Sequence, residues 1–305
     1  MQRELRAGHL AAGLTMLIWG TTFISTKVLL RQLSPVEILF LRFLLGYLAL
    51  WLICPRRLRG VSGRQNAVFA LAGLTGICLY YLLENVALTF TLASNVGVII
   101  SVAPFFTALL AHWVFRGAEP LRPRFFAGFA AAMAGVCLLS FSGGPLKASP
   151  AGDLLALAAA LVWACYSLLT RVIGGYGFGA VQVTRRVFFF GLLFMLPTLP
   201  FSHFDLRPAL LAEPQILLNL LFLGLGASAL CFVTWNFAVR VLGPVRTSAY
   251  IYAVPVVTLA ASALLLHETI TPAALAGTAL TLTGLFLSES GDKAPKKGAI
   301  PHGTD

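Results

Sequence analysis

Charge is what this chain has least of. Asp, Glu, Lys and Arg make up 11% of its 305 residues, against about 25% in ordinary soluble domains. A water-soluble protein of this length has no other source for the polar surface it needs, so the soluble classes are excluded. Cysteine is sparse as well. Cys54, Cys78, Cys137, Cys165 and Cys231 are odd in number, lie in apolar runs and show no metal-ligand spacing, which leaves them a filling role. The chain has no GxxxxGK[ST] phosphate loop, no matched His/Glu metal pattern and no nucleophile motif with a partner. An ATP-driven pump and an intramembrane enzyme are therefore disfavoured, and no cofactor or metal is expected. A channel fits less well too, since no filter-like segment is present.

Apolar residues are abundant instead, at 58%. They fall into runs close to the roughly 20 residues that an α-helix needs to cross a bilayer core. The runs predict ten spans at about 9–30, 35–54, 66–87, 93–115, 124–142, 152–173, 179–201, 215–238, 246–266 and 272–290. They are too long and too uniformly apolar for barrel strands. The first follows Arg3 and Arg6 as a signal peptide would, but it is long and lacks a small-residue cleavage site, so a retained helix is expected. Residues 1–8 and 291–305 are left as polar ends, the latter rich in Gly, Pro and Lys and expected to be disordered.

Lys and Arg orient the chain. With the N-terminus in the cytoplasm, fifteen of them fall in cytoplasmic segments, while Arg31, Lys147 and Arg207 alone fall in outer loops. Both termini are then cytoplasmic. The net charge of +11 has the same explanation, so anionic lipid headgroups are the expected partner and nucleic acid is not.

The chain also repeats itself. At an offset of 151, Gly73, Leu74, Leu79, Asn85, Ala87, Ile100, Pro104 and Thr107 fall on Gly224, Leu225, Leu230, Asn236, Ala238, Ile251, Pro255 and Thr258. Glu119, Gly128 and Gly135 meet Glu268, Gly277 and Gly284 after a two-residue slip. Upstream, at 144, Trp19, Thr26, Lys27 and Arg42 meet Trp163, Thr170, Arg171 and Arg186. Two homologous units, 9–142 and 152–290, follow. Each holds five spans, an odd number, so the second must enter the membrane upside down. The expected fold is an all-α integral membrane protein of ten transmembrane helices in two inverted five-helix repeats, an arrangement of secondary transporters.

Several residues stand out within the spans. Pro104 and Pro255 sit mid-span in equivalent places, where each removes a backbone donor, bends its helix and frees the carbonyl of Ile100 or Ile251. A matched pair of broken helices points to a transporter's centre. Ser101 and Tyr252 lie one turn before the prolines, on stripes that also hold Ser94, Gly97 and Ala108, and Ser248, Leu259 and Ser262. Helix packing is the ordinary reading of such stripes. Tyr80, Tyr81, Glu84 and Asn85 cluster on span 3, and Trp19 and Trp163 lie on matched faces of spans 1 and 6. Aromatic rings with polar edges suit a partly apolar solute, although aromatic packing produces the same pattern. Trp51 and Trp113, near span ends, read as an interfacial belt.

Each ionisable residue within a span costs roughly 2.5–3.5 kcal/mol and needs an account. Lys27, Glu37, Arg42 and Glu84 share a depth toward the outer side, where a latch between Glu84 and Lys27 or Arg42 would control the outer opening. Arg185 and Arg186 enter span 7 without an acidic residue at their depth. Snorkelling accounts for one of them; the other faces a substrate carboxylate or a helix C-terminus.

The stretches Glu84-Asn85-Val86-Ala87-Leu88 through Pro104 and Trp235-Asn236-Phe237-Ala238 through Pro255 resemble the paired signature of the drug/metabolite transporter superfamily. Trp19-Gly20 and the hairpins at Glu119 and Glu268 add to the likeness, which is greatest to the ten-helix EamA-type exporters. The resemblance implies a cavity lined by spans 1, 3, 4, 6, 8 and 9, with spans 5 and 10 more peripheral. It also implies export of amino acids or similar metabolites from a bacterial inner membrane. Efflux of drugs or lipophilic cations and exchange of nucleotide sugars or phosphorylated metabolites stay open, as does homodimerisation. The candidate substrate residues are Trp19, Tyr80, Tyr81, Asn85, Ser101, Trp163 and Tyr252; the candidate gating residues are Lys27, Arg42, Glu84, Pro104, Pro255 and Arg186.

Overall fold

The computed structural model describes residues 2–56, 58–114, 123–141, 149–202, 207–242, 247 and 249–289. Its long helical runs, in chain order, are α1 (Gln2–Leu29), α2 (Pro35–Ile53), α3 (Gly63–Phe90), α4 (Ala93–Val114), α5 (Pro123–Phe141), α6 (Pro150–Gly174), α7 (Ala180–Thr198), α8 (Pro214–Leu242), α9 (Tyr250–Leu265) and α10 (Pro272–Glu289). Each coincides with one expected span. Seven of them, α1 to α4 and α6 to α8, are long and apolar enough to cross a membrane, and α5 and α9 contain shorter apolar stretches. Among the described residues there is no strand. Glu119, Ser248, Arg57, Arg116, Arg122, Lys147, Arg246 and the tail 291–305 lie outside the described residues.

Local chemistry sets several helix starts. Ser34 and Glu37 form a capping box on α2, with Glu37 Oε2 accepting from the Ser34 amide at 2.6 Å. Ser62 and Gln65 do the same for α3. Each box satisfies two of the amides that a helix start leaves without partners. Pro35, Pro150 and Pro214 stand at first-turn positions, where a missing N–H costs nothing. Glu37 thereby has a role as a cap of α2.

The paired prolines break their helices as expected. α4 is interrupted at Ser101–Val102, where Ser101 and Val102 donate three residues back to Val98 and Ile99. α9 opens with a 3-10 stretch, Ala249–Ala253, before the regular helix begins at Val254. α3 and α8 carry a second matched irregularity. Both contain π-helical turns, Leu74–Leu79 and Phe222–Leu230, in which the Tyr80 and Cys231 amides reach back five residues to Thr75 and Gly226. Such turns re-aim side chains and gather at functional sites.

The connections collect at two ends of the bundle. At one, Arg207 donates to the Gln32 carbonyl at 2.7 Å, Thr91 donates to Asp153 at 3.0 Å, and Glu268 holds the start of α4. At the other, Arg185 donates to the carbonyls of Cys54 and Arg56, and Arg186 to Asn66. The first is the Glu268 end and the second the Arg185 end. The repeated asparagines show the inversion. Asn85 donates to Pro35 O (3.0 Å), where α2 starts at the Glu268 end; Asn236 donates to Thr184 Oγ1 (2.9 Å), where α7 starts at the Arg185 end.

α5 and α10 stay away from the centre and pack against each other. Their repeated glycines are the reason. A Cβ on Gly135 would lie 2.6 Å from the Gly277 carbonyl oxygen, and one on Gly284 only 2.4 Å from that of Gly128. No side chain fits there, so the two backbones touch, as lipid-embedded helices do where small residues face each other.

Candidate functional site

A central cavity of about 40 Å³ lies where the two halves meet. Its wall contains Trp19, Thr22 and Phe23 of α1, Tyr80, Tyr81 and Glu84 of α3, Ile100 and Ala103 of α4, Trp163 of α6, and Ile251 and Val254 of α9. Three pairs in this wall are repeat equivalents: Trp19 with Trp163, Ile100 with Ile251, and Ala103 with Val254. The helix breaks place the last two pairs. Pro104 and Pro255 lack the amide that would bond four residues back, and both Ile100 and Ile251 border the cavity. The volume holds about one water and no amino acid, since ligand pockets run to several hundred cubic ångströms. The space at the centre is narrow.

The tryptophans are fixed by ring contacts and by one freed carbonyl. Trp19 and Trp163 meet edge to face, with centroids 5.5 Å apart. Trp163 also packs on Tyr80 at 4.8 Å, and Trp19 on Trp235 at 5.4 Å. The π-helical turn of α8 diverts the Cys231 amide from Ala227 to Gly226, and the Trp19 indole donates to the Ala227 carbonyl at 2.9 Å. On α3 the equivalent of Ala227 is Gly76, where the Tyr166 ring lies so close that a Cβ would fall 2.2 Å from it. The π turns were not foreseen; their only sequence trace is the small-residue composition around Gly73, Gly76, Gly224 and Gly226.

The polar part of the wall belongs to one half alone. Glu84 is 1% exposed, one turn from Tyr80 on α3, and has one carboxylate oxygen, Oε1, without a hydrogen-bond partner. The repeat equivalents of Tyr80, Tyr81 and Glu84 are Cys231, Phe232 and Trp235. Arg42 is fully buried behind the wall, its guanidinium 4.4 Å from the Tyr81 ring centre. Its Nε donates to Ser228 Oγ (3.1 Å), while Nη1 and Nη2 have no partner. Glu84 and Arg42 therefore attract each other across Tyr81 without direct pairing.

Toward the Arg185 end, Phe43, Tyr81, Tyr166, Phe188 and Phe232 form an aromatic layer with centroid spacings of 4.9 to 6.4 Å. Beyond it lie two wider cavities of about 340 and 350 Å³. One is lined by Thr170, Arg171, Asn236 and Arg240, the other by Tyr47, Arg185 and Arg186. Toward the Glu268 end the closure is polar. Glu268 Oε1 accepts from the Ala93 amide (3.1 Å), and Oε2 from the amide and hydroxyl of Ser94 (3.4 and 2.9 Å). A carboxylate here meets the free amides and positive end of a helix dipole. Beside it, Lys27 Nζ donates to the carbonyls of Leu88 and Thr91 at the end of α3.

The structure places several of the expected site residues away from the cavity wall. Lys27 Nζ is spent on the carbonyls at the end of α3, which lie nearer than Glu84; Glu268 and Ser94 are hydrogen-bonded to each other beside it. Ser101 and Tyr252 do not border the cavity. Ser101 Oγ bonds its own helix at Val98 O (2.6 Å), and Tyr252 packs on Phe286, because the helix breaks rotate the preceding residues out of the regular register. Asn85 spends its amide on Pro35 and joins helices. Arg186 is held by Asn66 at the Arg185 end, while Arg185 caps α2, which is the helix C-terminus option. Of the six spans expected around the cavity, α8 contributes no wall residue and supports Trp19 from behind through Trp235 and Phe232. Trp19, Tyr80, Tyr81, Trp163 and Glu84 are brought together; Pro104 and Pro255 are buried beside them.

The whole chain finds relatives. The family model described as EamA-like transporter family matches residues 6–141 and 150–289. An uncharacterised transporter of Archaeoglobus fulgidus is 30% identical, with 92% of this chain and 96% of that protein covered. A protein of Streptantibioticus cattleyicolor named a probable terminal-alkyne amino-acid exporter is 30% identical over 90% of each chain. A probable amino-acid metabolite efflux pump of Salmonella typhimurium is 28% identical over 94% and 96%. A crystal structure matches the fold with a TM-score of 0.65 at 20% identity, covering 93% of this chain and 96% of that one. Paired broken helices, a cavity between inverted halves and family matches in both halves lead to one conclusion: the chain is a multi-pass membrane protein that belongs to the EamA-like transporter family, of the drug/metabolite transporter type.

Proposed function

We propose that the protein exports amino acids or similar small amphipathic metabolites through the central cavity by alternating access. The observation that carries this reading is the cavity wall built from repeat equivalents, Trp19 with Trp163 and Ile100 with Ile251, at the junction of inverted halves. The names of the Streptantibioticus and Salmonella relatives support the cargo. The wall suits it, with apolar rings beside one carboxylate. In this reading the wider cavities at the Arg185 end are where solute gathers before a step that opens the aromatic layer.

Purified protein in liposomes loaded with labelled amino acids, lipophilic cations or nucleotide sugars should release one or more amino acids faster than protein-free liposomes. Release confined to nucleotide sugars, or to cations without an amino group, would end this reading.

The same reading places the chain in a bacterial cytoplasmic membrane, with both termini and the Arg185 end in the cytoplasm and its basic loops against anionic headgroups. In a cysteine-free background, Arg59→Cys and Ala212→Cys, both at exposed positions, should label from opposite faces, and Arg59→Cys from the cytoplasmic one. Labelling of both from one face would refute the orientation.

A further inference from the structure

We propose that the central cavity recognises an organic ammonium group: Glu84 binds the protonated amine, the rings of Trp19, Trp163 and Tyr80 surround its first carbons, and no group in the wall requires a carboxylate on the solute. The inference rests on the carrier reading above and deepens it.

Glu84 is the one charged residue in a wall that otherwise holds aromatic, aliphatic and threonine side chains. It is buried, it borders the cavity, and its Oε1 has no hydrogen-bond partner. A buried carboxylate oxygen left open is costly unless a donor arrives to meet it. The rings beside it present electron-rich faces, which attract a cation once it is stripped of water. A bare metal ion is a poor occupant, because hard cations need several oxygen ligands and the wall offers one carboxylate.

Arg42 determines what the site does not read. Its guanidinium is the obvious partner for a substrate carboxylate, yet it lies behind the Tyr81 ring, outside the wall. There the Tyr81 ring stands beside it, 4.4 Å from ring centre to guanidinium. A solute reaches Glu84 without touching Arg42. The asymmetry of the repeat supports the same assignment. The position equivalent to Glu84 is Trp235, which packs on Trp19, so one half supplies the charge and the other half supplies ring surface.

The test uses full-length protein in detergent and three probes that share one carbon skeleton. Hexylammonium carries only the amine, norleucine carries amine and carboxylate, and N-acetylnorleucine carries only the carboxylate. Quenching of tryptophan fluorescence should report binding of the first two and not of the third. Glu84→Gln should weaken both amines by roughly 30-fold, the loss expected when one partner of a buried charge pair is removed, and Glu84→Asp should weaken them less. The proposal is overturned if N-acetylnorleucine binds as tightly as norleucine, if hexylammonium fails to bind, or if Glu84→Gln binds the amines as the parent does. Should Glu84→Gln not fold, the three probes on the parent protein decide the matter alone. Liposomes that release amino acids while these binding arms fail would leave the transport reading standing and remove the ammonium site; liposomes that release none would remove the transport reading itself.

Discussion

Replacing Trp163 by Ala should lower transport by roughly tenfold or more while the protein still reaches the membrane. The indole is almost fully buried and touches Trp19, Tyr80, Tyr166 and Phe232, so it braces both the cavity wall and the aromatic layer below it. Large buried aromatics dominate binding sites because they supply apolar area with few rotatable bonds to freeze. Truncation to Ala also leaves a void, which in soluble cores costs about 3–5 kcal/mol. Stability must therefore be read separately, by the amount of monodisperse protein extracted. Trp163→Phe keeps a ring and should fall between parent and Ala. Trp113→Ala, at a side chain 76% exposed near the end of α4, should transport as the parent does. Equal losses for Trp163→Ala and Trp113→Ala would show that the tryptophan pair is not the wall of the path.

The second large effect is expected at Glu268. Its carboxylate joins the last loop of the second half to the first turn of α4 in the first half, through two amides and one hydroxyl. Hydrogen bonds to a charged group contribute about 1.5–3 kcal/mol each where they are buried. Glu268 is only half-buried, so about 2 kcal/mol for the set is a fair figure, or roughly a 30-fold change in the ratio of closed to open forms. The measurement is the labelling rate of Thr22→Cys, a cavity-wall position, by a membrane-impermeant thiol reagent added at the Glu268 end. Glu268→Ala should raise that rate by about tenfold or more. An unchanged rate would mean that the aromatic and aliphatic packing holds this end shut without the clasp.

Burial and transport chemistry are distributed unevenly between sequence and structure in this protein. The apolar runs, the excess of Lys and Arg on one set of loops and the doubled pattern were enough to predict a helical membrane protein with inverted halves. Each is a property of the chain read locally, and each answers to the bilayer: helices must span it, cations resist crossing it, and an odd-numbered unit must invert. The prolines were legible for the same reason, since a missing N–H breaks a helix wherever it falls. The tryptophan pair was also legible, because the repeat marks residues that meet at a symmetry axis.

Partner choice was decided only by the tertiary structure. Depth along a span placed Lys27, Arg42 and Glu84 together, but depth says nothing about the angle around the helix or about which neighbour lies nearest. The helix ends won the competition for the cations: Lys27 went to the end of α3 and Arg185 to the end of α2, where several unpaired carbonyls converge. Arg42 went beneath Tyr81, and Glu84 Oε1 was left without a hydrogen-bond partner. Ser101 and Tyr252 were assigned to the wall by regular helical spacing, yet each sits at a break where that spacing fails. The π turns of α3 and α8 arise from packing of small residues against neighbouring rings, a constraint that exists only once the helices are together. The sequence alone determined which runs form long apolar helices and where two of them break; the packed bundle determined which polar group each cation meets, because a carbonyl or carboxylate becomes a partner only through its position in space.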